Sequence, residues 1–375
     1  MSGDLSGIVV VSIEQAVAAP YASMRLAADG ARVIKVERPE GDFARNYDDL
    51  VHGHSAYFVW LNRGKESVCL DLKDSKDKEL LKKVIAKADV LIQNLKPGTM
   101  RKLGLAIDVL RKAHPKLICC SISGFGEDGP YSDLKAYDLI VQAEAGLCSI
   151  TGTPENPARV GVSVCDISAG MSAHAAILQA LFKRERTGEG TTIEVSLFDA
   201  LADWMNVPYL QHRYGDFQTK RSGVNHPSLA PYGAYETGDG RKVIFSVQNE
   251  REWIAFRDKV MDDAALADDL RFATNMDRLA NRRALDELIA IRFAKLTLEQ
   301  AIELLEESSL AYGRLNSIGD LAQHPHLRTV EVVLGDKQAQ VIAPGIRHSS
   351  EEFGPAKVPG IGANTDEVWS EFSLE

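Results

Sequence analysis

GIVVVSIEQAVAAPYASMRLAADGARVIKVE, residues 7–37, decides the fold. Its ends, GIVVVSI (7–13) and ARVIKVE (31–37), are β-branched runs of the kind found in strands buried on both faces. Between them PYASMRLAADG (20–30) reads as a short helix ended by Gly30. Strand, helix and strand in that order make a βαβ unit, and the unit repeats. SVCLDL (67–72) is a strand, and KDSKDKELLKKVIAKA (73–88) is an amphipathic helix with Leu80, Leu81, Val84 and Ile85 on one face. DVLIQN (89–94), PGTMRKLGL with Pro97 at a helix start, and KLICCSISGFG (116–126) follow. After a helix at 168–186 the pattern resumes in TTIEVSLFDALADW (191–204). The fold class is therefore α/β, a Rossmann-like large domain with a mostly parallel sheet. The first turn, SIEQAVAAPYA, holds no GxGxxG, so the dinucleotide fingerprint is missing. Neither a Walker loop, a GxSxG elbow nor an HExxH is present, so function must come from other residues.

The character changes near residue 215. RSGVNHPSLAPYGAYETGDG (221–240) is rich in Gly, Pro and Asn and leads into a hairpin turning at Gly238–Gly240, flanked by AYET and RKVIFSV. Two charged amphipathic helices follow, around 277–295 and 297–307, giving a smaller α+β domain. The division read from the chain is 1–214 with 330–375 as the large domain, 225–322 as the small one, and 215–224 and 323–329 as linkers.

With 375 residues, 45% hydrophobic and 26% charged, the chain has the composition of a globular protein with a large core. A net charge of −10 argues against a nucleic-acid footprint, which needs a basic face. No apolar run reaches the roughly 20 residues of a membrane span. The opening MSGDLSGIVVVSI has no basic segment ahead of its apolar run and does not read as a signal peptide, so a cytoplasmic location is expected. Five cysteines without CxxC spacing fit reduced thiols, and the close histidine pairs HGH (52–54) and HPH (324–326) lack zinc-ligand spacing. No metal is expected.

One carboxylate stands out. VGVSVCDISAGMSAHAAILQAL (160–181) reads as a strand-like run up to Asp166, then a helix. In open α/β folds ligands sit beyond the carboxyl ends of strands. A helix N-terminus behind Asp166 is expected to lower its pKa and keep it anionic, fit to act as a nucleophile or to serve only as a helix cap. Gly161, Ser163, Ser168, Ala169 and Gly170 are small, leaving room for a ligand or for tight packing. Basic clusters follow three strands: Lys35, Arg38 and Arg45; then Asn94 with Lys96, Arg101 and Lys102; then Lys135 ahead of Tyr137 and Asp138, which read as helix-start residues. Three such clusters in an acidic protein suggest one anionic ligand at the strand tips.

With these residues in view, the chain resembles the CaiB/BaiF group, the family III CoA-transferases, along nearly its whole length. The matching stretches, in order, are VIKVERPEGD, NRGKESVCLDLK, ADVLIQNLKPG, GFGEDGPY, AYDLIVQAEAGLCSITG, GVSVCDISAGMSAHAAILQAL, RTGEGTTIEVSLFDA, PYGAYETGDG and VPGIGANTDEVW. The resemblance implies that Asp166 attacks an acyl-CoA thioester, passing through a mixed anhydride and an aspartyl-CoA thioester before an acceptor carboxylate takes over. It implies CoA and acyl-CoA as substrates rather than a resident cofactor. It places CoA along Ala16, Val17, Arg38, Leu70, Lys73, Asn94, Leu95, Lys102 and Lys135. Ala16-Val17 stands where some members carry Val-Gln, and Lys102 where an Arg can occur. The implied architecture is a Rossmann-like domain plus a small domain in an interlocked homodimer.

The 142–164 segment and LAYGRLNSIGDL are most similar to members acting on small dicarboxylates such as itaconate, mesaconate or citramalate. A distal carboxylate entering a water-poor site needs a partner, for which Arg213 and Arg314 are candidates. Two other readings are a 2-methylacyl-CoA racemase, whose branch tends to carry a His before the YD pair where this chain has Ala136, and a non-catalytic CoA-binding protein.

Overall fold

The structure, a computed structural model, describes residues 3–346 and 354–373. Residues 1, 2, 347–353, 374 and 375 of the expected large domain lie outside the described residues. Six strands form the main sheet: β1 (Val9–Ile13), β2 (Arg32–Glu37), β3 (Glu66–Cys69), β4 (Val90–Gln93), β5 (Ile118–Ser123) and β6 (Thr192–Ser196). Their order is β3-β2-β1-β4-β5-β6 and every pairing is parallel. The reversal of strand order falls between β1 and β4, the switch point of doubly wound sheets.

The unbroken β-branched runs have their reason here. Val10 and Val11 are adjacent and both fully buried, one in the core on each face of the sheet. One face is covered by helices Ala18–Ala28 and Val164–Thr187, the other by Ser75–Lys87, Ile107–Ala113 and Thr365–Ser373. Helix Val164–Thr187 is long and apolar enough to cross a membrane by length and composition. In the fold, its Ala169, Ala173 and Ile177 lie fully buried against the sheet. Gly170 lets it approach helix Ala18–Ala28, since a Cβ there would lie 2.7 Å from the Ala18 carbonyl oxygen.

The expected strand at 160–165 is not there. Residues 160–163 are irregular and the helix already begins at Val164, so Asp166 lies in its first turn rather than at a strand end. The backbone groups a strand would have paired go to side chains: Val160 N donates to Gln142 Oε1 (2.8 Å) and Cys165 N to Asp138 Oδ1 (2.8 Å).

The chain clusters into two compact units, Met1–Leu147 with Arg159–Leu210 and Arg328–Glu375, and Cys148–Ala158 with Gln211–Leu327. Of the expected linkers 215–224 and 323–329, the first and residues 323–327 of the second fall inside the second unit, which also takes in 148–158. In that unit β7 (Tyr232–Glu236), β8 (Lys242–Ser246) and β9 (Ala311–Arg314) form an antiparallel sheet, packed with helices Arg282–Phe293 and Leu298–Glu307 around Phe245, Phe256 and Phe293. The helix expected at 277–295 is interrupted at Asn281. In the first unit β10 (Thr329–Leu334), β11 (Lys337–Ile342) and β12 (Ala356–Lys357) make a small sheet that packs Val332 and Leu334 against Val59.

Candidate active site

A cleft of about 710 Å³ opens at the carboxyl ends of β1, β4 and β5, across the switch point. Three strand-end turns build its floor. After β1, Ala16 adopts a left-handed conformation (φ 64°) that costs a non-glycine residue roughly 1–2 kcal/mol. Hydrogen bonds on both sides hold it there. Ala16 N donates to Asp42 Oδ1 (3.1 Å), Gln15 N donates to Asn94 Oδ1 (3.0 Å), and Asn94 Nδ2 donates to Gln15 O (2.8 Å). This turn delivers Val17 as the N-cap of helix Ala18–Ala28, with no side chain capping it. The helix's first N–H groups therefore open beside the cleft, a setting that suits an anion.

After β4, Asn94, Leu95, Lys96 and Pro97 line the wall. After β5, Gly124 allows the next segment to lie directly on the strand end, since a Cβ there would be 2.1 Å from Ala136 Cβ. That contact brings Lys135, Tyr137 and Asp138 over the cleft. Tyr47 and Tyr57, edge to face at 5.4 Å, form an aromatic side, and Tyr57 Oη lies 3.3 Å from Ser163 Oγ.

Asp166 lines this cleft, partly buried, with no hydrogen bond or ion pair to its carboxylate among the described residues. Burial, and then the neighbouring Asp138 carboxylate, push its carboxyl up to about 7. The expectation that the helix N-terminus would lower it is corrected: desolvation and a like charge outweigh the half-charge of the dipole. Asp138 is more than a helix-start residue. It caps the Asp166 helix through Cys165 N and accepts from Gln142 Nε2 (2.7 Å), so Asp138 holds Asp166 in place as well as repelling it. The small residues divide in role. Ser163 lines the cleft, whereas Ser168, Ala169 and Gly170 are buried in packing.

Of the residues expected to meet CoA, the cleft gathers Ala16, Val17, Asn94, Leu95 and Lys135. Arg38, Lys73 and Lys102 are exposed beyond β2, β3 and β4, outside the cleft lining. Leu70 is buried in the core and offers no side chain to a ligand. Lys35 and Arg45 are structural: Lys35 is fully buried against Asp42 (2.8 Å) and Glu14 (3.5 Å), and Arg45 pairs with Glu37 (2.6 Å) and stacks on Phe58. Arg101 pairs with Asp108. Arg213 and Arg314 belong to the second unit, exposed on helix Asn206–Gly215 and at the end of β9. The cleft instead holds Arg159, which sequence reasoning did not single out, together with Tyr47 and Tyr57. Arg159 sits within the 142–164 segment, seven residues before Asp166, and nothing in local periodicity marks it as facing a site. No group of His, Cys, Asp and Glu able to hold a metal occurs among the described residues.

A parallel doubly wound sheet with an unpaired carboxyl in its switch-point cleft, and without the glycine-rich dinucleotide fingerprint, defines a Rossmann-like α/β protein. The sequence profile described as CoA-transferase family III matches residues 5–365, and the chain belongs to that family. The succinyl-CoA:glutarate CoA-transferase of Mus musculus is 34% identical over 376 residues, covering 98% of this chain and 86% of that protein. The succinate–glutarate CoA-transferase of Agrobacterium fabrum is 36% identical over 354 residues, covering 92% and 88%. The crystal structure of a CAIB/BAIF family protein from Brucella suis superposes with a TM-score of 0.87 at 31% identity, covering 99% of this chain and 100% of that one. The fold class and the family expected from the sequence both hold.

Proposed function

We propose that the protein transfers CoA from an acyl-CoA thioester to a small dicarboxylic acid, with Asp166 as the nucleophile. The observation that carries this reading is an unpaired, partly buried carboxyl at the switch-point cleft of a family III chain. The ionised Asp166 oxygen attacks the thioester carbonyl, the C–S bond breaks, and CoA thiolate leaves a mixed anhydride. The thiolate then attacks the aspartyl carbonyl, releasing the donor acid and forming an aspartyl-CoA thioester. An acceptor carboxylate attacks that thioester, giving a second anhydride. CoA thiolate takes the acceptor acyl group, and the Asp166 carboxylate is regenerated. One thioester replaces another, so the cycle needs neither ATP, a metal nor a resident cofactor. The oxyanions formed on the way would be met by backbone N–H groups at the start of helix Ala18–Ala28.

CoA would run from this cleft past Ala16, Val17, Asn94, Leu95 and Lys135 toward Arg38, Lys73 and Lys102 at the outer strand ends, with Leu70 contributing backbone only. The dicarboxylate class is carried over from relatives named for succinate and glutarate. Assembly as an interlocked homodimer and a cytoplasmic location belong to the same reading. Acid–base racemisation fits less well, since no histidine lines the cleft among the described residues.

The test is trapping. Incubation with succinyl-CoA and hydroxylamine, followed by mass spectrometry, is expected to modify Asp166 in the wild type. Asp166→Ala should bind CoA, keep its fold and lose at least a thousandfold in transfer. An Asp166→Ala protein within tenfold of wild type would sink the mechanism.

A further inference from the structure

If Asp166 is the acyl acceptor, a dicarboxylic substrate places one carboxyl at Asp166 and carries a second that must also be held. An anion leaving water for this cleft requires a charged or hydrogen-bonding partner there. Among the described residues the cleft offers three cations, Lys96, Lys135 and Arg159. Lys96 lies 4.0 Å from Asp133, and Lys135 is already assigned to CoA. Arg159, exposed at the cleft's edge, makes no hydrogen bond or ion pair among the described residues, unlike Arg32, Arg45, Arg101 and Arg184, which all pair with carboxylates. It also belongs to the same compact unit as Asp166.

The residue that follows Arg159 is held by the side chains that also hold the start of the Asp166 helix. The fully buried Gln142 accepts from Val160 N (2.8 Å) and donates to Asp138 Oδ2 (2.7 Å), while Asp138 Oδ1 accepts from Cys165 N (2.8 Å). One three-part network therefore fixes the residue after Arg159 and the residue before Asp166. It is anchored on helix Asp138–Glu144. Arg159 and Asp166 thus line one cleft from the two ends of a pinned connector, and a two-headed acid entering it meets a guanidinium as well as the carboxyl. We infer that Arg159 receives the distal carboxylate of the substrate, through the planar two-pronged contact that suits a carboxylate, and so sets the preference for dicarboxylic over monocarboxylic acids. This inference rests on the transferase reading of Asp166.

The experiment compares kcat/KM for glutarate and for pentanoate as acceptors, with succinyl-CoA as the common donor. The variants are Arg159→Met, Arg159→Lys, Arg213→Met and Arg314→Met. The glutarate-to-pentanoate ratio should fall at least thirtyfold in Arg159→Met, recover in part in Arg159→Lys, and stay within threefold of wild type in the other two. If turnover of Arg159→Met is too low for a ratio, hydroxylamine trapping decides. Loss of the Asp166 adduct with succinyl-CoA but not with butyryl-CoA supports the inference, and equal loss overturns it. A ratio within threefold of wild type in Arg159→Met, or a rise confined to the KM for acyl-CoA, also overturns it and leaves CoA transfer standing. A wild-type protein that moves CoA to no carboxylic acid would overturn both readings.

Discussion

Two sets of acids sit at the carboxyl end of one sheet and are treated in opposite ways. Glu14, directly after β1, is buried, and its carboxylate meets Lys65 at 2.6 Å and Lys35 at 3.5 Å, with Ser12 and Ser23 donating to it as well. Burial alone would raise its carboxyl, but Lys65 and Lys35 outweigh burial and bring it to about 2. Among the described residues Asp166 pairs with no cation; burial and the neighbouring Asp138 raise it to about 7. The difference shows that burial does not decide the fate of an acid here; the supply of positive charge does. The paired set holds the fold's turn, since Lys35 binds Asp42 and Asp42 accepts from the left-handed Ala16. The unpaired acid is left for a ligand to engage.

The sharpest way to break this comparison is to take charge from the paired set. Lys65→Met leaves Glu14 buried with one cation 3.5 Å away, and losing one side of a buried pair typically costs about 3–5 kcal/mol. Urea titrations should show that loss as a lower midpoint with an unchanged slope. A cost under about 1 kcal/mol would mean that the paired set does not hold the fold together.

The same contrast marks what could be read from the sequence. The parallel sheet was legible because a strand buried on both faces must be apolar at every position, as Val10 and Val11 are. The hairpin of β7 and β8 was legible from its glycine turn. The run 160–165 misled because VGVSV has strand composition, yet its partners are the side chains of Gln142 and Asp138, 18 and 27 residues earlier. Lys35 misled for a related reason. A lysine near a strand end reads as a ligand contact, but Glu14 and Asp42 enclose it completely. Asp166 was legible as a candidate; its raised pKa was not, because that comes from Asp138 and from burial. Arg159 had no local signature at all.

A smaller effect probes the unpaired acid directly. If Asp166 is the nucleophile as proposed, its ionised form is the one that attacks, so kcat/KM for acyl-CoA should fall about tenfold per pH unit below an inflection near 7. Between pH 7 and pH 5 that amounts to about fiftyfold. Asp138→Asn keeps an oxygen for Cys165 N and removes the like charge, so the inflection should move to lower pH. A wild-type inflection near 4 would place Asp166 among well-solvated carboxylates and dissolve the contrast with Glu14.

The smallest effect concerns stability, and its sign is opposite to that of Lys65→Met. The Asp166 carboxyl has a folded pKa above the ordinary value of 3.8, so the folded state holds the proton more tightly than the unfolded chain. Its contribution is most favourable below pH 4 and is lost as pH rises through 7. Asparagine carries no charge at any of these values. Asp166→Asn should therefore be more stable than wild type at pH 8, and the gain should shrink to nothing below pH 4. The full shift would convert to about 4 kcal/mol, but the carboxyl is partly exposed and water screens it, so about 1–2 kcal/mol is expected. Thermal unfolding of both proteins at pH 8 and pH 4 reads the difference. Equal stabilities at both values would show that ionised Asp166 is as comfortable in the cleft as in water. In that case the acid would be solvated and paired by something other than the protein's own cations, and the cleft would not be primed for an incoming acyl group.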